Sequence, residues 1–230
     1  MPPLATGGAA PYFGYMRMVF APTRWLLAIA FVAAGILPAS AQPAPNLDAA
    51  ALADVERVEL YLNELTTIDS RFVQFSAQGI AEGRIILSRP GNMRIEYDPP
   101  VPVLMVASGF LFMFHDRDLL QTSYLPVSAT PVAFLLEEKI ELSGDVTITR
   151  FERGPASLRL TLIETGAEDA GSLTLTFEDA PLRLVKWQVT DAQGNDVDVA
   201  LLEPKFGVEV DEDLFSLVDP ALEYQDEGIQ

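Results

Sequence analysis

The chain has no cysteine. Structural disulfides, thiol catalysis and thiolate metal sites are thereby excluded. A lipid-modified N-terminal cysteine is excluded with them. Histidine is almost as scarce, and His115 is the single one. No multi-imidazole metal site can be built, and a Ser-His-Asp triad would have one candidate base. His115 falls at an expected strand end beside Asp116 and Asp118, where a solvated turn is the simpler reading. The motifs G-x-S-x-G, G-x-x-x-x-G-K-[ST] and G-x-G-x-x-G are missing. Acid pairs such as Glu137-Glu138 read as solvated faces, and the acidic loop 164–169 lacks the ligand spacing of a calcium loop. Neither an enzyme nor a bound cofactor or metal is expected.

Positive charge is also short, with 15 basic against 33 acidic side chains. The two arginines near the start, Arg17 and Arg24, precede an apolar run of thirteen residues, 25–37 (WLLAIAFVAAGIL). That is the length of a secretory h-region and falls short of the about twenty residues that span a bilayer. Pro38 and an A-x-A step at Ala39-Ser40-Ala41 follow, so residues 1–41 are read as a cleaved signal peptide. Met16 and Met18 are both candidate starts. Cleavage removes two arginines and no acid, taking the formal charge from −18 to −20. Such a surface repels nucleic acid and anionic headgroups and favours a dissolved monomer. With a bacterial leader of this kind, the expected address is the periplasm.

Residues 42–47 form a spacer. Asp48 is placed to cap a helix over 48–66, where Leu52, Val55, Val58, Leu62 and Leu65 recur every three or four residues. From Arg71 the period becomes two. Strands are expected at 71–78, 83–88, 93–98, 103–107, 110–115 and 119–124, with Ser108-Gly109 as a hairpin turn. Thr130 and Pro131 then open a short helix over 130–138. Five more strands follow, at 145–152, 157–164, 172–178, 182–190 and 196–202, and one helical turn over 211–215. Regular strands at this spacing predict a mainly β domain with a few helices, an antiparallel meander curled into a sandwich or barrel. It would occupy 48–220 as a single unit, followed by a loose tail, 221–230.

The alternation gives each strand an apolar face. Met93, Ile95 and Tyr97 share one side, as do Phe110, Phe112 and Phe114, then Leu173, Leu175 and Phe177, then Val185, Trp187 and Val189. Leu111 and Met113 make the opposite side of their strand apolar as well. Periodicity alone leaves two interiors open, a close-packed core or a cavity covered by the helices.

The stretch 83–100 (GRIILSRPGNMRIEYDPP) resembles the LolA family of periplasmic outer-membrane lipoprotein carriers. In that family a strand ending in Arg-Pro leads to one with alternating large apolar residues and then proline. Phe72-Val73-Gln74-Phe75 is similar to its early F-x-Q strand, and 106–114 to its V-x-D-G segment and aromatic strand. Residues 119–136 resemble its Gln-containing strand and T-P-x-x-L-L helix. Asp191-Ala192-Gln193-Gly194 and Leu214-Phe215 stand where it has a D-x-x-G turn and a final Phe. One departure is Ala107-Ser108-Gly109, where the family has an acid before the glycine.

The resemblance implies an unclosed antiparallel β-barrel with a helical lid over an apolar cavity. The implied cargo is the acyl chains of lipoproteins, handed on by an inner-membrane ABC-type release complex to an outer-membrane acceptor. Arg89 takes the place of the family's lid latch, and a guanidinium fork suits gripping several carbonyls. Met93, Ile95, Tyr97, Phe112, Phe114, Leu135, Leu136 and Trp187 are the expected acyl contacts, assigned inward by parity. The alternative is a non-enzymatic lipid- or lipoprotein-sensing module of the same fold.

Overall fold

Strand alternation, read across the chain, becomes one large sheet. The structure, a computed structural model, describes residues 47–130 and 133–218. The expected leader, most of the spacer, Pro131 and the tail lie outside the described residues. Eleven strands pair antiparallel in the order β6-β5-β4-β3-β2-β1-β11-β10-β9-β8-β7. They are β1 Thr67–Ser76, β2 Gly79–Ser88, β3 Asn92–Tyr97, β4 Val103–Ser108, β5 Leu111–Asp116 and β6 Gln121–Pro126, then β7 Val146–Arg153, β8 Ser157–Glu164, β9 Gly171–Glu178, β10 Arg183–Asp191 and β11 Asp196–Phe206. Two meanders are thus joined where β1 meets β11, with Phe72 opposite Leu201 and Gln74 opposite Val199. β6 and β7 form the two edges, and no pairing joins them among the described residues. The barrel is therefore unclosed.

The first helix, α1, spans Ala49–Glu64, and Asp48 caps it by accepting from the Ala51 N–H at 2.8 Å. The side-chain cap satisfies one of the N–H groups that a helix start leaves unpaired. The buried stripe is Val58 and Leu62, with Leu65 just beyond the end. Leu52, expected on that stripe, is exposed, and Asp54 is buried instead. An ion pair accounts for the exchange. Asp54 accepts from Arg57 at 2.7 Å and contacts Arg153 at the end of β7, while Arg57 reaches Asp179 at 2.8 Å. The second helix, α2, covers only Ala133–Leu136, shorter than the expected 130–138, and all four of its residues are buried.

Tight turns set the registers. β4 and β5 are joined by Gly109 and Phe110, with Ser108 opposite Leu111. Gly109 takes a positive φ of 60°, which a two-residue hairpin loop asks of glycine at its first position. Phe110 is therefore a loop residue, 85 % exposed, and not a member of the strand face assigned to it from the sequence. Gly83 serves a different need: a Cβ there would lie 2.3 Å from the Glu96 carbonyl and 2.7 Å from the Phe72 ring. In β10 a bulge between Leu184 and Lys186 turns Leu184 inward with Trp187, correcting the parity given to Val185.

Two cores result. The larger lies inside the curl, where α1 and α2 pack on Phe72, Ile85, Met93, Leu160, Leu175 and Phe177. The smaller lies on the outer side of β2–β5, where Ile86, Leu104, Val106 and Met113 pack with Phe215 and with Val210, Leu214 and Leu217. That cover explains why β5 is apolar on both faces. His115 lies on this outer side opposite Leu104, fully buried, its Nδ1 2.9 Å from the Thr122 hydroxyl. It belongs to a packed strand, not to the solvated turn expected of it.

Candidate functional site

The turn between β2 and β3 is where the lid meets the sheet. Arg89 follows the last residue of β2, and its guanidinium points at the C-terminal ends of both helices. Nε donates to the Glu137 carbonyl at 3.1 Å, and Nη2 donates to Glu137 and, at 3.4 Å, to Glu138. Nη1 donates to the Leu65 carbonyl at 3.2 Å and to that of Leu62. One side chain so holds four carbonyls from two segments that are far apart in sequence. The last carbonyls of a helix have no partner within it and carry the negative end of its dipole, so a fixed cation is the complement they favour. Gly91 adds a backbone bond to the Leu136 carbonyl at 2.9 Å, and the Arg89 N–H bonds to Thr66 at 2.8 Å. Burial lowers the Arg89 pKa and the nearby Glu137 raises it, and a guanidinium stays protonated in a protein.

Beyond α2, residues 137–145 form a strap that is stitched to α1. The Asn63 amide donates to the Ile140 carbonyl at 2.8 Å and accepts from the Ile140 N–H at 2.9 Å. Glu59 accepts from the Leu142 N–H at 2.7 Å. Ile140 and Leu142 are themselves buried, so helix, strap and Arg89 cover the interior together.

Of the eight residues expected to face that interior, Met93, Tyr97, Phe112, Leu135, Leu136 and Trp187 are buried in the larger core, and Ile95 and Phe114 are half-buried against it. Tyr97 stacks edge-on against Phe72, with centroids 5.2 Å apart, and its hydroxyl donates to Gln74 at 2.6 Å. Burial raises its pKa to about 12. Leu62 and Leu65 of the expected helix stripe join Arg89, Leu135 and Trp187 around a void of about 10 Å³, together with Ile68, Ile85, Leu87, Ile140, Leu184 and Leu201, which sequence reading missed. The alternation of Ile85 and Leu87, opposite Ile95 and Met93, was the available signal. A void of this size is at the limit of about 10–15 Å³ needed for one water. Around Arg89, then, the interior is a packed core.

The geometry has counterparts among known proteins. The family model described as "Outer membrane lipoprotein carrier protein LolA" matches residues 63–218. An outer-membrane lipoprotein carrier protein of Chromohalobacter salexigens is 28 % identical over 208 residues, 86 % of this chain and 93 % of that protein. An uncharacterized protein of Rickettsia prowazekii is 24 % identical over 115 residues, half of this chain and 54 % of that one. The chain thus spans about half the length of one curated relative and nearly all of the other. Among solved structures, a putative outer membrane lipoprotein-sorting protein domain from Vibrio parahaemolyticus covers 71 % of this chain and is itself covered over 97 %. It has 11 % identity and a TM-score of 0.44. With the family model running from the end of α1 through Arg89, both sheet halves and Phe215, this chain belongs to the LolA family of outer membrane lipoprotein carrier proteins.

Proposed function

We propose that the chain is a soluble periplasmic carrier that hides the acyl chains of lipoproteins and moves them from the inner to the outer membrane. It takes cargo from an inner-membrane ABC-type release complex, yields it to an outer-membrane acceptor, and catalyses no reaction. The carrying observation is Arg89, bonded to the carbonyls of Leu62, Leu65, Glu137 and Glu138 over an apolar interior.

The energetics divide between grip and grease. Charge-assisted hydrogen bonds contribute about 1.5–3 kcal/mol each, and Arg89 makes them only while both lid segments are in place. The lid also buries Val58, Leu62, Phe134, Leu135 and Leu136, at about 1.5–3 kcal/mol per side chain. Opening in water would expose those groups with nothing to replace them. An acyl chain supplies the replacement, since each buried methylene is worth about 0.8 kcal/mol. Cargo therefore offsets the loss of lid packing, and the broken Arg89 bonds remain as a restoring force toward the closed state. A carrier needs this balance, because it must release what it binds.

The test is Arg89→Leu, with Arg89→Lys beside it. The leucine variant should bind a hydrophobic dye more strongly than wild type and pass lipoprotein to acceptor membranes more slowly. Lysine, a point charge without the fork, should lie between. Wild-type dye binding and transfer in Arg89→Leu would sink the latch, and a periplasm-purified protein that never carries acylated cargo by native mass spectrometry would sink the carrier.

A further inference from the structure

The two lid segments are fastened in different ways. α1 is tied to the sheet itself. Asp54 is paired with Arg153 at the end of β7, and Arg57 reaches Asp179 in the turn between β9 and β10. One turn on, the Tyr61 hydroxyl accepts from the Leu184 N–H of β10 at 3.1 Å, and the Tyr61 ring packs edge-on against Phe177 of β9. Only Leu65 and Thr66 separate the end of α1 from the start of β1. Residues 133–143, which are α2 and most of the strap, are hung instead from the Arg89–Gly91 turn and from Glu59 and Asn63 of α1. Behind them, between the strap and β7, β8 and β9, lies a space of about 140 Å³ lined in part by Phe134, Val146, Leu162 and Leu173. The void beside Arg89, where α1 meets the sheet, holds about 10 Å³.

We infer that the lid opens on one side only. Residues 133–143 form a flap that swings from Gly144, and α1 stays on the sheet as a fixed wall. The aliphatic chain of an acylated ligand enters under the flap, along Leu162 and Leu173. The inference rests on the carrier reading and names the moving part and the entry side of its site. Both ends of the flap are pinned. Gly144 has a φ of 76° and open space where a Cβ would stand. The next residue, Asp145, already accepts from the Thr165 N–H at 2.9 Å, and β7 begins at Val146. Hinges are such short stretches at the ends of elements, where a few residues take up the change in backbone angles. At the other end, the Thr130 hydroxyl and N–H both bond to the Val127 carbonyl, at 2.6 and 2.9 Å.

Moving α1 would cost more. It would part Asp54, which is 2 % exposed, from Arg153 and pull Arg57 from Asp179. It would also drag on the start of β1, which is paired on one side with β2 and on the other with β11. Space favours the flap as well. A cavity of about 150 Å³ lined by Leu, Ile and Phe holds one small hydrocarbon molecule, so a chain end finds room behind the strap, whereas the α1 side is filled. Arg89 stands on the boundary between the two segments. Flap motion breaks its bonds to the Glu137 and Glu138 carbonyls, while those to Leu62 and Leu65 on the fixed wall persist. The guanidinium thus stays in place as the post on which the flap closes again.

The chain has no cysteine, so a pair of introduced cysteines can be joined cleanly by a short bifunctional thiol reagent. Asn63→Cys with Lys139→Cys ties the flap to α1, and Arg57→Cys with Asp179→Cys ties α1 to the sheet. Each linked protein is compared with its own unlinked form by titration with an uncharged hydrophobic dye and an N-palmitoyl peptide as competitor. A lock raises the apparent dissociation constant by the factor by which it lowers the open fraction. The flap link should weaken both ligands about tenfold or more, and the α1 link by less than about twofold. The wild type gives a second reading that no substitution disturbs. On adding the peptide, amide hydrogen exchange should speed up across 133–143 and stay slow across 54–62. An α1 link that weakens binding as much as the flap link would overturn the one-sided opening and leave the carrier reading standing. So would unimpaired binding with the flap linked, or exchange that rises in α1 as much as in the flap. No uptake of dye or peptide by the wild type would overturn the carrier reading together with the flap.

Discussion

Asn63 and Ile140 exchange two hydrogen bonds, the Asn63 amide donating to the Ile140 carbonyl at 2.8 Å and accepting from its N–H at 2.9 Å. The side chain pairs with the strap backbone as a neighbouring strand would. The same amide nitrogen donates to the Glu59 carbonyl one turn earlier at 2.9 Å, so α1 and the strap are joined close to the carbonyls that Arg89 holds. Asn63→Asp keeps the shape, removes the donor and puts a negative charge beside two carbonyls. It should lower stability by about 1–3 kcal/mol in urea unfolding and raise dye uptake with Arg89 intact. Lost stability with wild-type dye uptake would make the pair a structural staple with no share in the gate.

The other anchor of α1 is Asp54. It is 2 % exposed and meets Arg57 at 2.7 Å and Arg153, while both arginines remain about half-exposed. Removing one partner of a buried pair strands a charge, but here the arginines can turn to water, which reduces the loss. Asp54→Ala should lower the midpoint of thermal unfolding. A double-mutant cycle with Arg153→Ala should give a coupling of about 1–3 kcal/mol. A coupling near zero would mean that Arg153 contributes nothing to holding the helix.

The eleven strands were legible in outline because an alternation of period two survives where one face is buried, as in β8 and β9. The limits were local insertions and remote covers. β1 was read as ending at Gln78 and β2 as starting at Gly83, because the two-residue turn after Ser76 carries no glycine, proline or asparagine. The bulge beside Val185 moved an inward position by one residue, and periodicity contains no sign of an inserted residue. Asp54 on the buried face of α1 needs, besides Arg57 of its own helix, Arg153 from the end of β7. For the site, the Arg-Pro step placed Arg89, whereas Asn63 and Glu59 were invisible because their partners are backbone groups of Ile140 and Leu142.

Phe215 closes the outer core over Ile86, Leu104, Val106 and Met113. Phe215→Ala removes the largest group of that cover, and such truncations cost about 3–5 kcal/mol where the site cannot collapse. The expected result is a loss of about 3 kcal/mol in urea unfolding. Self-association at micromolar concentration should accompany it in sedimentation velocity, since an apolar sheet face is left open. The larger core, the proposed acyl site, lies on the other side of the sheet, so a cargo affinity that fell as steeply as stability would argue against two separate cores.

The pH dependence of stability should carry the mark of Asp69. Both its oxygens accept from Arg84, at 2.9 Å each, and this hydrogen bonding holds its carboxyl below the ordinary 3.8 although burial works the other way. A depressed folded pKa contributes stability that is fully present above the ordinary value and is lost as pH falls through the folded one. Arg84 is about half-exposed, so the contribution is that of a surface pair, about 1 kcal/mol or less. Asp69→Asn should therefore unfold at a slightly lower temperature than wild type by a constant margin from pH 6 to 8. The margin should shrink below about pH 4, as the wild-type carboxyl takes up its proton and loses the advantage that asparagine never had. Thermal unfolding of the two proteins across pH 2.5–8 reads this directly. A margin that stays constant down to the lowest pH would assign the difference to shape or packing, and not to the charge that Asp69 shares with Arg84.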